Sequence, residues 1–203
     1  TQTVTVTGVD DTATDGPQDT TVTIAVDDDN SDNAFDGLAY QTATATTDND
    51  DTAAFTLSTT TASVTEAGST ATFTVVLDTQ PLSDVVVAVS SADTSEATVS
   101  APTLTFTSGS WNVPQSVTVT GVDDTIDDGD QDTTVTIAVD DNNSDNAFDG
   151  IAYQTATATT DNDDTAGMTL STTTASVTEA GSTATFTVVL DTQPLSDVVV
   201  AVS

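Results

Sequence analysis

Two acidic clusters carry the chemistry that this chain's residue types allow. The first is Asp123, Asp124, Asp127, Asp128 and Asp130, in "VDDTIDDGD" (122–130); the second is Asp161, Asp163 and Asp164, in "DNDD" (161–164). Each follows a run of alternating Thr and Val or Ala. Glu66 closes an earlier run and Glu96 precedes another. Loops rich in carboxylates suit a hard divalent cation such as calcium, which takes six to eight oxygen ligands and accepts short Asp side chains without needing a helix. Without a cation, neighbouring carboxylates repel by about a few kcal/mol per pair at an effective dielectric of about 20. A bound divalent ion turns that repulsion into cross-linking.

Composition removes most other chemistry. The 203 residues include 33 acids and no Lys, Arg, His or Cys, for a formal charge of −33. The chain therefore has no phosphate clamp, imidazole base, Schiff-base amine, thiolate or disulfide, and no cationic face for nucleic acid. A hydrolase would need a paired-carboxylate cleft, and the acids form none that the sequence identifies, so no enzyme is expected. No apolar run is long enough to span a bilayer, so no direct membrane insertion is expected.

The elements that must position these acids are strands. High charge and 4% aromatic residues belong to the signature of disorder. Against that, 36% of the residues are hydrophobic and fall in alternating β-branched runs, such as "TATFTVVL" (70–77) and "SVTVTGV" (116–122), which read as half-buried strands. The acids are 30 Asp and 3 Glu, and Asp favours turns where Glu would favour helices. Salt adaptation would scatter acids, many of them Glu, over strand faces; here those faces carry Thr. Strands are expected near 55–57, 61–66, 70–77, 84–90, 102–107, 115–122, 132–139 and 152–160. Phe73, Val75, Leu77, Val87, Val89, Leu104, Phe106, Val117, Val119, Val135, Ile137 and Val139 should supply the core. Such short antiparallel strands fit an all-β sandwich with Greek-key connections.

An internal repeat sets the organisation. Residues 1–90 match 114–203 with nine differences: Thr1/Pro114, Thr3/Ser116, Ala13/Ile126, Thr14/Asp127, Pro17/Asp130, Asp29/Asn142, Leu38/Ile151, Ala54/Gly167 and Phe55/Met168. The repeat is therefore about 113 residues long, present roughly 1.8 times. One complete unit is expected at 52–164, with 1–51 the C-terminal part of a preceding repeat and 165–203 the N-terminal part of a following one. The chain reads as a window on a longer tandem array; subunits that complete one another by strand exchange are the rival reading.

The run "SVTEAGSTATFTVVL" (63–77), then "TLTFTSGSWNVPQSVTVTGVDDTIDDGDQDTTVTI" (103–137), then "TATTDNDD" (157–164) resembles the Calx-beta domain in the form found in long bacterial surface proteins and adhesins. The resemblance covers the whole unit and implies tandem calcium-binding, immunoglobulin-like sandwiches. It implies calcium ligands at Glu66, Glu96, Asp123, Asp124, the Ile126 carbonyl, Asp128, and the cluster Asp161, Asp163 and Asp164. The corresponding positions in the flanking copies are Asp10, Asp11, Asp15, Asp48, Asp50, Asp51 and Glu179. One family position departs, a loop Glu that is here Gln131. Asp19, Asp78, Asp84, Asp93 and Asp132 read as solvated turn or surface residues.

"DNNSDNAFDG" (141–150) spaces Asp141, Asn143, Asp145 and Asp149 partly like a calcium loop, but it also reads as a surface loop pinned by Phe148 and Tyr153. The 48 Thr residues read as β-propensity on solvent faces, with ice binding or O-linked sugars as rivals. Trp111 with Pro114 should pack a corner. The expected function is a calcium-stabilised stiff spacer in an extracellular or cell-surface filament, stalk or adhesin, and a carbohydrate- or ice-binding module is the alternative. The expected partners are neighbouring repeats, end to end. Lateral self-assembly into a fibre and binding to surface glycans stay open.

Overall fold

Alternation of Thr with Val puts one face of each strand into a core and leaves the hydroxyl face to water. The computed structural model describes residues 1–203, and its regular structure is almost entirely strand. Nine strands lie in the central region: β3 (Phe55–Leu57), β4 (Thr61–Thr65), β5 (Thr70–Leu77), β6 (Val85–Ser91), β7 (Ala97–Val99), β8 (Thr103–Phe106), β9 (Gln115–Gly121), β10 (Gln131–Val139) and β11 (Gln154–Asp161). They form a five-stranded sheet, β4-β11-β10-β6-β8, and a four-stranded sheet, β3-β5-β9-β7. Consecutive β3 and β4 belong to different sheets, so the chain edge is shared between them. β4 runs parallel to β11, from Thr61 opposite Thr157 to Thr65 opposite Asp161. Every other pairing in this region is antiparallel. This is an all-β sandwich with immunoglobulin-like exchange of its first strand.

The two inner faces meet in one cluster. Phe73, Val75, Leu77, Val87, Val89, Leu104, Phe106, Val117, Val119, Val135 and Ile137 are buried as expected. Val139 is only half-buried, because β10 leaves the core at its end. Phe55, Val64, Val85, Phe148, Ala156 and Ala158 join the core. The two alanines sit in "QTATATTD", where the inward positions of β11 are too small to advertise themselves. β7 is a strand that the alternation does not reveal: three residues, of which only Ala97 is fully buried, carry too little pattern. Trp111 packs against the core, while Pro114 is exposed.

On either side lie shorter pieces. β1 (Gln18–Ile24) and β2 (Gln41–Thr47) form a hairpin, and β12 (Met168–Leu170) pairs with β13 (Val188–Leu190). Phe35 and Phe186 are about half exposed, whereas their copies Phe148 and Phe73 are buried. The flanking segments carry only part of the strand set that covers those positions centrally.

Candidate cation-binding site

Strand direction decides which acids meet. β4, β9 and β11 all end, and β7 and β10 begin, at one end of the sandwich, as the pairings Thr65 with Asp161, Gly121 with Ala97, and Gln131 with Thr160 require. Glu66 is the first residue past β4, in a turn closed by Gly68 at φ 83° and by the Gly68 N–H donating to the Thr65 carbonyl (3.1 Å). The Glu66 N–H extends the parallel ladder by donating to the Asp161 carbonyl (3.2 Å). β9 approaches so closely here that a methyl on Gly121 would overlap the Thr65 carbonyl. The side chain of Glu66 is thereby driven inward and is 1% exposed.

Around it the acids gather. Carboxylate oxygens of Glu66, Asp163 and Asp164 lie within 4.8 Å of one another. The Asp163 N–H donates to Glu66 Oε2 (3.1 Å). Burial pushes the Glu66 carboxyl above its ordinary 4.5, and the charges of Asp124, Asp163 and Asp164 add to this against the opposing pull of that hydrogen bond. Burial, then Asp128, Asp124, Asp93 and Glu66, raises Glu96 likewise. Asp164 is raised by desolvation and by Asp163, Asp123, Asp124 and Asp127. These groups share one electrostatic neighbourhood, and the chain has no Lys, Arg or His to neutralise it.

The hydrogen-bond inventory shows where the neighbourhood lacks donors. Asp128 Oδ1, Asn162 Oδ1 and Asp164 Oδ2 are buried with no hydrogen-bond partner. A buried acceptor without a donor costs about 1–3 kcal/mol, and more when charged. Three such oxygens beside a buried carboxylate are what a cation would satisfy, and their chemistry is that of a hard-ion site. Asn162 interrupts the acidic run in the sequence, so only the fold draws attention to its amide oxygen. Its Nδ2 is already spent on the Asp164 carbonyl (3.0 Å).

The remaining expected positions are distributed as follows. Asp124 Oδ1 accepts from the Ile126 N–H (2.6 Å), and the Ile126 carbonyl accepts from the Asp128 N–H (3.1 Å), which leaves that carbonyl a second lone pair. Glu96 is half-buried, and its carbonyl takes the Val122 N–H (2.9 Å) and the Thr160 hydroxyl (3.1 Å), tying β7 to the acidic loop and β11. Asp123 and Asp161 are exposed at the rim. Gln131 Nε2 donates to the Asp128 and Gly129 carbonyls (3.2 and 3.3 Å) and so braces the loop. In the first copy, Asp10, Asp11, Asp15, Asp48, Asp50 and Asp51 line a cavity of about 590 Å³. Burial and then Asp50, Asp10, Asp11 and Asp15 raise Asp51 there. Glu179, the copy of Glu66, is exposed and meets no such cluster.

The 141–150 segment does other work. Asp145 is 7% exposed, and its Oδ2 accepts from the Leu82 and Ser83 N–H groups (2.7 and 2.8 Å) while Oδ1 accepts from the Ala147 N–H (2.9 Å). These bonds overcome the cost of burial and hold its carboxyl below the ordinary 3.8. It is a clamp on the β5–β6 turn, at the end remote from Glu66. Phe148 pins this loop, but Tyr153 is 66% exposed and does not.

No protein-family model matches the chain, and no curated protein does. Among solved structures, domains 1–6 of the surface layer protein SbsC align over 87% of this chain and 25% of that one, at 16% identity and TM-score 0.43. Domains 4 and 5 of SbsC align over 60% of this chain at 23% identity and TM-score 0.37, and the E. coli chaperone DraB over 58% at 9% identity and TM-score 0.41. The chain spans 59% of the DraB structure and 62% of the two-domain SbsC structure. At such scores and identities these likenesses carry no argument about function; the fold rests on the sheets described above. No helix is long and apolar enough to cross a membrane.

Proposed function

We propose that the chain is a calcium-stabilised structural repeat of a long extracellular or cell-surface filament, stalk or adhesin, working as a stiff spacer of the Calx-beta kind. The observation that carries this reading is a buried acid in a chain with no cationic side chain: Glu66 is enclosed beside the half-buried Asp164 and the exposed Asp163, with three acceptor oxygens nearby that have no donor. Glu66, Asp124, Asp128, Asp163 and Asp164 would hold the ion, with Asn162 and the Ile126 carbonyl supplying neutral oxygens and Glu96 and Asp123 closing the rim. The ion would supply charge neutralisation and cross-link the β4 turn, the β9–β10 loop and the segment after β11.

The site's place in the unit supports a mechanical role. The segment that follows Asp164 leads directly into β12, so the ligands and the connection to the next copy share a backbone. An ion that fixes Asp163 and Asp164 fixes the direction in which the chain leaves the sandwich. Calorimetry and small-angle scattering in calcium and in excess chelator test this together. Chelation should lower the melting temperature and broaden the distribution of distances within the molecule; if both stay unchanged, the chain is no calcium-stabilised spacer.

A further inference from the structure

The contact between successive copies is built twice from the same atoms. The Gln80 N–H donates to the Thr12 carbonyl at 2.7 Å, and 113 residues on, the Gln193 N–H donates to the Thr125 carbonyl at 2.7 Å. In each case the acceptor lies in the acidic loop of one copy and the donor in the turn after the next copy's β5-equivalent strand. That turn lies at the end of the sandwich remote from Glu66, so the copies meet head to tail.

The two contacts then diverge. At the first, the Thr14 N–H returns a bond to the Gln80 carbonyl (3.1 Å), Ala13 and Gln80 form a parallel bridge, and the Thr14 hydroxyl also points at that carbonyl (3.4 Å). At the second, Asp127 replaces Thr14 and the return bond is gone. Asp127 Oδ2 instead accepts from the Ala166 N–H (2.8 Å), a backbone group in the connecting segment. Asp130 also replaces Pro17, adding a second acid on this side. Four of the nine differences between the copies, at 13/126, 14/127, 17/130 and 54/167, fall on the loop and connection that make this contact, and a fifth, 55/168, opens the strand that follows the connection.

We propose that the turn at 79–81, with its copy at 192–194, is a docking surface whose partner is the acidic loop of the preceding repeat, and that position 14/127 sets how the dock closes. With Thr14 it is a two-way backbone clasp that holds with or without a cation. With Asp127 it is a carboxylate latch on the connection, beside Asp123, Asp124, Asp163 and Asp164, and it holds only while a divalent cation neutralises that group. Neutral backbone bonds are indifferent to the cluster's charge, whereas a carboxylate latched among like charges is expelled when they are bare. An array can thus mix permanent joints with cation-gated ones by exchanging one residue. The gating rests on the calcium reading above; the docking does not.

Amide hydrogen exchange by NMR on the full chain, in calcium and in excess chelator, tests both parts. Docked amides should exchange at least about 50-fold more slowly than in an open peptide. Thr14 and Gln80 should keep that protection in chelator, while Ala166 and Gln193 should lose at least about tenfold of theirs. Thr14→Asp should make Gln80 protection cation-dependent, and Asp127→Thr should make that of Gln193 independent, with the core amides of Val117 and Val119 reporting that each variant is folded. Thr14 and Gln80 exchanging as an open peptide would overturn the dock. Ala166 and Gln193 protected equally in chelator would overturn the latch. A flat calcium titration with Thr14 and Gln80 still protected would sink the calcium reading and the gating while sustaining the dock.

Discussion

Glu66 is a carboxylate that the fold buries without a cationic neighbour, and its ionised form is costly for that reason. Its carboxyl lies above the ordinary 4.5, as does that of Glu96, and Asp164 lies above the ordinary 3.8. A raised carboxyl binds protons more readily folded than unfolded. Its contribution to stability is full below the ordinary value and is lost as pH rises through the folded one. Asp145 has the opposite sign: its stabilisation is present above 3.8 and is lost as pH falls through its lowered value. In chelator, stability should therefore peak on the acid side, at about pH 4–5, and decline toward pH 7; calcium should remove that decline. Glu66→Gln should raise the chelator-state melting temperature at pH 7 while weakening calcium binding at least about tenfold, because the buried charge is both the liability and the ligand. Melting curves against pH and a calcium titration check the pair. A variant with lower stability in chelator and unchanged affinity would show that the buried charge is neither.

The two ends of the sandwich should respond differently to substitution. At the remote end Asp145 ties the 141–150 loop to the β5–β6 turn through the Leu82 and Ser83 N–H groups, and accepts a third N–H from Ala147 within its own loop. Asp145→Ala should cost about 2–4 kcal/mol, since charge-assisted bonds are lost and buried donors are orphaned. Calcium affinity should stay within about twofold, the clamp lying at the opposite end from the site. Gly121→Ala acts where β9 meets β4, one residue before Glu66, and forces the two strands apart. It should lower stability and calcium affinity together. Urea midpoints with parallel titrations separate these outcomes, and loss of affinity in Asp145→Ala would refute the division between ends.

Across the whole molecule the charge of −33 has two distinct consequences. Diffuse repulsion between exposed acids is screened by any salt over about 10 Å at 0.1 M. A carboxylate cluster with buried acceptors is not, because monovalent ions do not replace its missing ligands. In 0.15 M NaCl, about 1 mM calcium should raise the melting temperature by about 5–10 °C, while adding about 1 M NaCl instead should raise it by less than half as much. Equal gains from the two would mean general charge screening, the behaviour of a salt-adapted surface.

The strand periods, the 113-residue repeat and the placement of acids in loops are legible along the chain, because alternation, near-identity and Asp in turns are local properties. Eleven of the twelve core positions read from alternation are fully buried. β7 and the alanines of β11 were invisible because three residues, or small inward side chains, carry too weak a pattern. Among the acids, nothing local separates Asp163 and Asp164, drawn to Glu66, from Asp161 at the rim, or marks Asn162 as a buried oxygen and Asp145 as a clamp. Glu66 and Glu179 share their immediate neighbours in sequence, but only Glu66 has the strands that enclose it within these 203 residues. That distinction needs β9 and β11 to end beside β4, and only the tertiary structure brings strands about 55 and 95 residues apart in sequence to the same edge.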